Sequence, residues 1–72
     1  MLEVYSADWC NPCQTLKKLL DKENIKYKAI NIDEEPELAN HNGIRGIPTL
    51  INSETNQRLV GSLTLEQVKS IL

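Results

Sequence analysis

The sequence predicts an α/β fold with four strands and three helices in the order βαβαββα. Residues 12–23 carry apolar side chains at helical spacing between two short strand-like runs, which is typical of a βαβ unit. Towards the end of the chain, a polar turn at residues 53–56 is short enough to join two antiparallel strands. The predicted strands cover residues 2–6, 25–32, 47–52 and 58–60.

The first helix is predicted from its apolar face and from the signals at its two ends. Leu16, Leu19 and Leu20 fall at positions i, i+3 and i+4 and should face the core. Pro12 suits the first turn, where its missing N–H group is not needed, and Asn24 is a stop signal.

The other two helices are shorter. The acidic run that ends at Pro36 starts the second helix, which should stop at Gly43. Thr64 and Gln67 have the spacing of a capping box at the start of the third helix. The residues of the third helix expected to face the core are Leu65, Val68 and either Ile71 or Leu72.

The connections between these elements define the expected sheet. A helix joins the first two strands, so they should lie parallel with a right-handed crossover, whereas the short turn makes the third and fourth strands antiparallel. The result is a four-stranded mixed sheet flanked by three helices, with helices on both faces. We expect residues 1–72 to form a single domain, because a chain of this length is too short for two.

The composition argues against several classes of function. Hydrophobic residues make up 40% and charged residues 25% of the chain, with a formal net charge of −2 and no long run of one sign. This balance argues against an electrostatic nucleic-acid binder and against a polybasic membrane patch. No apolar stretch approaches the ~18 residues of a membrane span, and the first residues lack the pattern of a signal peptide. We therefore expect a cytoplasmic monomer with no nucleic-acid or membrane partner.

Cys10 and Cys13 are the only cysteines and lie where the first strand ends and the first helix begins. Unpaired N–H groups and the helix dipole stabilise negative charge at such a position, and a thiolate is the form that attacks a disulfide. We expect Cys10 to be the more exposed of the two, to lose its proton readily and to act as the nucleophile. An inward-facing Cys13 would then attack the mixed disulfide, and Asn11 and Pro12 would rigidify the ring.

Two other uses of the cysteine pair are open. A C-x-x-C pair can be half of a zinc site, but the chain has no further cysteine and only one histidine, His41. The pair can also be an incidental or structural disulfide, although so small a ring restrains little of the unfolded chain. We expect no metal and no cofactor, and we expect His41 to be a surface residue.

Several motifs resemble the thioredoxin superfamily. Residues 7–13, Ala-Asp-Trp-Cys-Asn-Pro-Cys, are similar to the thioredoxin active-site segment, with Asn11 in place of the usual glycine. Residues 31–33, Asn-Ile-Asp, and residues 43–50, Gly-Ile-Arg-Gly-Ile-Pro-Thr-Leu, resemble the second half of bacterial thioredoxins, as does Gly61 before the last helix. The resemblance covers nearly the whole chain. It implies a minimal thioredoxin-like fold of glutaredoxin-like size, without the additional N-terminal strand and helix of a full thioredoxin.

The resemblance also implies a substrate-binding surface made of Trp9, Asn11, Pro12, Ile47, Pro48 and Gly61. Pro48 would be a cis-proline facing the cysteines, and the backbone of Ile47 would offer hydrogen bonds to an extended substrate segment. Trp9 would cap the site, and Gly61 would let the backbone of a partner approach. The local alternatives are a core role for Trp9, an ordinary proline at the start of the third strand, and a simple turn at Gly61.

Two departures from the family pattern bear on Cys13. Thioredoxins carry a buried aspartate and a lysine that help to deprotonate the second cysteine, and this chain has Val4 and Ala29 at the matching positions. Glu3 should point to the opposite face of its strand, because neighbouring strand residues alternate between faces. Release of the mixed disulfide should therefore rely more on water or on the leaving thiol of the substrate.

These observations lead to three hypotheses for function. The first, which we expect, is a protein thiol–disulfide oxidoreductase that donates electrons to disulfide-containing proteins, with a ribonucleotide reductase as one candidate acceptor and a thioredoxin reductase as reductant. The second is a glutathione-dependent glutaredoxin, which the short chain favours and which Trp9 and the Asn11-Pro12 pair disfavour. The third is a non-catalytic binding module on the same fold.

Overall fold

The computed structural model describes residues 1–72 and contains the predicted elements in the predicted order. They are β1 (Leu2–Ser6), α1 (Asn11–Lys22), β2 (Tyr27–Asn31), α2 (Pro36–His41), β3 (Thr49–Asn52), β4 (Arg58–Val60) and α3 (Leu65–Lys69). The βαβαββα prediction is confirmed. Strands β2 and β3 begin later than predicted, because Ile25 and Ile47 lie in the connections that lead into them.

The strands form one mixed sheet in the order β2-β1-β3-β4. Strand β1 pairs in parallel with β2, where Val4 lies opposite Ala29, and in antiparallel fashion with β3, where Val4 lies opposite Leu50. Strands β3 and β4 are antiparallel, with Leu50 opposite Leu59. The helical crossover and the hairpin predicted from the sequence are both confirmed, and β1 is an inner strand.

One face of the sheet packs against α1 and α3. The buried core on this face consists of Leu2, Val4, Leu16, Leu20, Leu50, Val68 and Ile71. Full burial of an aliphatic side chain of this size contributes about 1.5–3 kcal/mol. Just after α3, Ile71 is buried in this core while Leu72 is exposed, which settles the choice that the sequence left open.

The opposite face packs against α2, so the prediction of helices on both faces is confirmed. Its buried cluster consists of Tyr5, Ile30, Ala39 and Ile51, and Ile32, Leu38 and Ile44 pack around it. Tyr5 follows Val4 directly in β1 and therefore points to the other side of the sheet. Both faces of β1 are buried, which makes this strand the centre of the fold.

Helices α1 and α2 end in the same way. Asn24 follows the last turn of α1 with φ at 57°, and its N–H group donates to the Asp21 oxygen at 3.1 Å. The next N–H group, that of Ile25, reaches back to the Leu20 oxygen at 2.9 Å. Gly43 takes the same left-handed conformation after α2, with φ at 67°. Asparagine and glycine are the residues that tolerate this conformation, so both stop signals are confirmed.

The capping box of α3 is also present. The N–H group of Gln67 donates to Thr64 Oγ1 at 3.2 Å, and the N–H group of Thr64 donates to Gln67 Oε1 at 2.9 Å. A side-chain amide of Asn52, at the end of β3, donates to the Ile71 oxygen. The capping box closes the first turn of α3, and the Asn52 bond fastens the residues that follow α3 to the sheet.

The core supports a prediction for stability. Leu20 is fully buried, so Leu20→Ala should lower the free energy of unfolding by about 2–5 kcal/mol through lost burial and a residual cavity. The matched control is Leu72→Ala, because Leu72 is 60% exposed and should change stability by less than about 0.5 kcal/mol. Urea unfolding followed by circular dichroism measures both, and equal effects would contradict this packing.

The two tyrosines support a prediction for alkaline pH. Burial raises the pKa of Tyr5 above its ordinary value of 10.0, with Glu3 adding to the increase, and burial together with Asp21 raises the pKa of Tyr27. Above about pH 10 the unfolded chain loses these protons before the folded chain does, so the free energy of unfolding should fall as the pH rises. Urea unfolding at increasing pH tests this. Tyr27→Phe should make the fall shallower, and an unchanged slope would argue against the shift.

Candidate active site

All the predicted site residues lie in the segments that meet at one edge of the sheet. Strands β1 and β2 end at this edge because they are parallel, and β3 begins there because it runs antiparallel to β1. Strand β4 runs antiparallel to β3 and so ends at the same edge. The segments after β1, after β2, before β3 and after β4 are therefore neighbours, although they are distant in the sequence.

Cys10 is the N-cap residue of α1, and Cys13 lies in the first turn. The backbone of Cys10 is extended, with φ at −91° and ψ at 105°, and its Sγ accepts a hydrogen bond from the N–H group of Cys13 at 3.3 Å. The sulfur thus takes the place that a hydroxyl or carboxylate oxygen fills in most helix caps. The two cysteines form a disulfide, with their Cα atoms 5.2 Å apart.

The two cysteines differ slightly in burial. Cys13 has no exposed surface and Cys10 keeps 5% of its surface exposed. Both belong to a small buried cluster with Ala7, against which the half-buried Ile32 and Ile47 pack. No side chain forms a hydrogen bond with either sulfur. Cys13 therefore faces an apolar interior, and only Cys10 reaches the surface.

The peptide bond between Ile47 and Pro48 is cis. Pro48 itself is buried, because it leads directly into β3, whose four residues are all buried. The proline ring therefore offers almost no surface for contact. Ile47 is half-buried against the cysteine cluster, and its backbone N–H and C=O groups form no hydrogen bond within the chain.

Gly61 follows β4 with φ at 97°, a conformation that favours glycine. Its N–H group donates to the Pro48 oxygen at 2.9 Å, so the turn after β4 is fastened to the segment before β3. No atom lies within 4 Å of the position that a Cβ would take, so the space above Gly61 is open. Gly61 therefore allows the backbone to adopt this turn, and its missing side chain leaves room for an approaching chain.

Trp9 is 68% exposed, which excludes the core role considered for it. Its Nε1–H group donates to Asp33 Oδ2 at 3.0 Å, across 24 residues of sequence. Asp33 was expected in the Asn-Ile-Asp motif and in the acidic run before the second helix, and its contact with Trp9 was not predicted. The contact could have been predicted from the expected parallel pairing of β1 and β2, because this pairing places the segments after the two strands side by side.

Asn11 and Pro12 are both exposed at the start of α1. They line one side of an open cleft of about 250 Å³ whose other residues are Thr15, Leu16, Ser62 and Leu63. The cleft lies between the first turns of α1 and the segment that leads from Gly61 to α3. The predicted surface around Cys10 therefore continues as a shallow groove on this side.

The positions that depart from the family pattern offer no acid near Cys13. Val4 is fully buried in the aliphatic core with Leu16 and Leu20. Ala29 lies opposite Val4 on β2 and is exposed. The interior next to α1 therefore contains an aliphatic side chain at the position where the family pattern has a buried aspartate.

Other kinds of site receive no support. His41 is exposed on α2, and no group of three histidine, cysteine, aspartate or glutamate side chains has the arrangement of a metal site. The longest helix, α1, has 12 residues, and none of the helices has the length and apolar character of a membrane span.

Comparisons with known proteins agree with this geometry. The family model described as thioredoxin matches residues 1–72. A thioredoxin of Thiocapsa roseopersicina is 42% identical over 63 residues, which cover 79% of this chain and 69% of that protein. A thioredoxin of Buchnera aphidicola subsp. Baizongia pistaciae is 40% identical over 81 aligned positions, which cover 100% of this chain and 74% of that protein.

The fold comparison gives the same result. The solved structure of a mutant thioredoxin from Halobacterium salinarum NRC-1 superposes with a TM-score of 0.82 at 30% identity, covering 96% of this chain and 67% of that one. The resemblance noted in the sequence and the thioredoxin-like fold that it implied are therefore confirmed. With a C-x-x-C disulfide at the start of α1, the chain belongs to the thioredoxin family and is a thiol–disulfide oxidoreductase.

Proposed function

We propose that residues 1–72 act as a single-domain dithiol electron donor that reduces disulfide bonds in proteins, with Cys10 as nucleophile and Cys13 as resolving cysteine. The observation that carries this proposal is the placement of the pair. Cys10 caps α1 and keeps a small exposed surface, while Cys13 lies buried one turn further along the helix. This arrangement suits two successive reactions: Cys10 attacks the substrate disulfide first, and Cys13 then attacks the mixed disulfide on Cys10.

In the first step the thiolate of Cys10 attacks one sulfur of a substrate disulfide. The substrate S–S bond breaks, its second sulfur leaves as a thiolate and takes up a proton, and a new S–S bond joins Cys10 to the substrate. The start of α1 supports the attacking charge, since the N–H group of Cys13 lies 3.3 Å from Cys10 Sγ and the helix dipole favours an anion there.

In the second step Cys13 loses its proton and attacks Cys10 Sγ. The bond between Cys10 and the substrate breaks, the second substrate thiol leaves, and the Cys10–Cys13 disulfide forms as it is found in this structure. Two electrons have then passed from the dithiol to the substrate. Because Val4 offers no base, the proton of Cys13 goes to water or to the departing substrate thiolate.

The substrate-binding surface proposed for these steps surrounds Cys10. An extended substrate segment would pair with the free N–H and C=O groups of Ile47, in the manner of an added strand. Trp9 and the open space above Gly61 would flank that segment on its two sides. Asn11 and Pro12 would extend the binding surface along the cleft. Pro48 is buried and would not contact the substrate, but it would fix the backbone of the neighbouring Ile47.

We further propose a thioredoxin reductase as the reductant and disulfide-containing proteins as the acceptors, with a ribonucleotide reductase among the candidates. The proposed location is the cytoplasm, and the proposed state is a monomer. Glutathione is the other reductant that would restore the dithiol, and a direct comparison of the two reductants separates a thioredoxin-like donor from a glutaredoxin.

The roles of the two cysteines give a prediction. Cys10→Ser should reduce insulin disulfides no faster than the uncatalysed reaction, because the attacking sulfur is gone. Cys13→Ser should still attack but should accumulate the mixed disulfide, which mass spectrometry detects as a covalent adduct. Circular dichroism controls for folding in both variants. Turnover by Cys10→Ser, or an adduct on Cys13 in that variant, would reverse the assignment.

The choice of reductant gives a second prediction. With one disulfide substrate, NADPH and thioredoxin reductase should support turnover, whereas glutathione with its reductase should support little. NADPH consumption measures both systems, and dithiothreitol serves as the common positive control. Faster turnover with glutathione would make the protein a glutaredoxin.

A Cys10→Ser/Cys13→Ser variant that kept full biological activity would instead favour a non-catalytic binding module.

A further inference from the structure

The backbone oxygen of Ala7 accepts two hydrogen bonds just before the cysteine pair. Ala7 follows β1 directly and has no exposed surface. Its oxygen accepts the N–H group of Cys10 at 3.2 Å and the side-chain amide of Gln14 at 3.2 Å. A carbonyl oxygen has two lone pairs, and a buried one has to find its partners within the protein. Gln14 therefore supplies a donor to an oxygen that solvent does not reach.

Gln14 binds the turn before α1 at both of its ends. Its backbone N–H group donates to the Cys10 oxygen at 3.2 Å, which is the first bond of the helical ladder. Its half-buried side chain reaches back seven positions to Ala7, where the turn begins. Gln14 follows Cys13 directly in the sequence, but its side chain forms no hydrogen bond with either sulfur. One residue of α1 thus holds the backbone on either side of the turn.

The turn determines where Cys10 lies relative to the start of α1. In the oxidised protein the disulfide to Cys13 also fixes that position. In the reduced protein the covalent bond is absent, so the hydrogen bonds of the turn have to keep Cys10 Sγ near the N–H group of Cys13, which lies 3.3 Å away in this structure. The support that a helix start gives to a thiolate is confined to the first turn, so a displaced cap residue would lose part of it.

We propose that Gln14 is a positioning residue for thiol–disulfide exchange, which holds Cys10 at the cap of α1 while the disulfide is open. This inference rests on the proposed function, because Cys10 is assigned there as the nucleophile. Gln14 touches no reacting atom and acts through the oxygen of Ala7. Without the Gln14 amide that buried oxygen keeps one donor, so the turn shifts or admits water, and the attacking thiolate is less well supported.

The pH dependence of Cys10 alkylation tests this inference in the reduced protein. Gln14→Met keeps an unbranched side chain of similar length and lacks the N–H donor. The midpoint pH for the reaction of Cys10 with iodoacetamide should rise by about 0.3–1 unit, the range that the loss of one hydrogen bond allows. Peptide mapping by mass spectrometry assigns the reaction to Cys10. An unchanged midpoint would overturn the inference.

A rescue variant separates the hydrogen bond from the rest of the side chain. Gln14→Lys restores an N–H donor that can reach the Ala7 oxygen, and in about 1 M salt its charge is screened beyond a Debye length of about 3 Å. In that salt the midpoint for Gln14→Lys should lie close to that of the unchanged protein. A midpoint as high as that for Gln14→Met would overturn the inference.

The matched control is Asn42→Ala at the end of α2, on the other face of the sheet from α1. It also removes a side-chain amide that donates to a backbone oxygen, that of Leu38 at 2.9 Å. The midpoint for Cys10 alkylation should not change in this variant. A shift as large as that in Gln14→Met would show that any such loss has the same effect, and it would overturn the inference.

A second measurement does not depend on reactivity. The N–H group of Cys10 bonds to the same Ala7 oxygen, so its hydrogen exchange in the reduced protein, followed by NMR, reports on the turn. Gln14→Met should speed this exchange about two- to tenfold, and an unchanged rate would overturn the inference. If Cys13 reacts with iodoacetamide before Cys10, the proposed roles of the cysteines fail, and the exchange rate still decides whether Gln14 holds the turn.

Discussion

The packing of α1 across β1 fixes the position of both sulfurs. Cys13, Leu16 and Leu20 follow one another along the buried stripe of α1, and all three have almost no exposed surface. Each residue of a helix is rotated by about 100° from the next, so a shift of one position would carry this whole stripe away from the core. The aliphatic core under Leu16 and Leu20 therefore also keeps Cys13 inside and leaves Cys10 at the cap.

The same packing explains what the site lacks. Val4 meets α1 in the core, and an ionisable group in its place would have to be desolvated there at a considerable free-energy cost. A chain of 72 residues has only a small core, so an aliphatic residue at the centre of β1 favours stability. The consequence for chemistry is that no buried base stands behind Cys13. The thiol exchange that we propose then depends on proton acceptors that arrive from solvent or with the substrate.

Sequence patterns predicted those features whose partners lie within a few residues of one another. The left-handed turn at Asn24 and the capping box of Thr64 and Gln67 are closed by bonds over three to five positions, so local composition reveals them. The contact between Trp9 and Asp33 spans 24 residues and depends on how β1 and β2 pair. The burial of Pro48 likewise follows from the inner position of β3, which no local pattern records. The cis peptide bond was expected only from the family resemblance.

The topology explains why four separate segments of the chain meet at the edge of the sheet where Cys10 lies. The ends of β1, β2 and β4 and the beginning of β3 all lie at the same edge of the sheet, because β1 and β2 are parallel and β3 is antiparallel to its neighbours. Cys10 exposes 5% of its surface at this edge, so a substrate sulfur has to be brought to it by contacts on either side. In the binding surface that we propose, Trp9 would offer those contacts on the side of β2 and Ile47 on the side of β3. Both are tied to β1 through the sheet, so the fold that buries Cys13 also sets the shape of the surface through which Cys10 is approached.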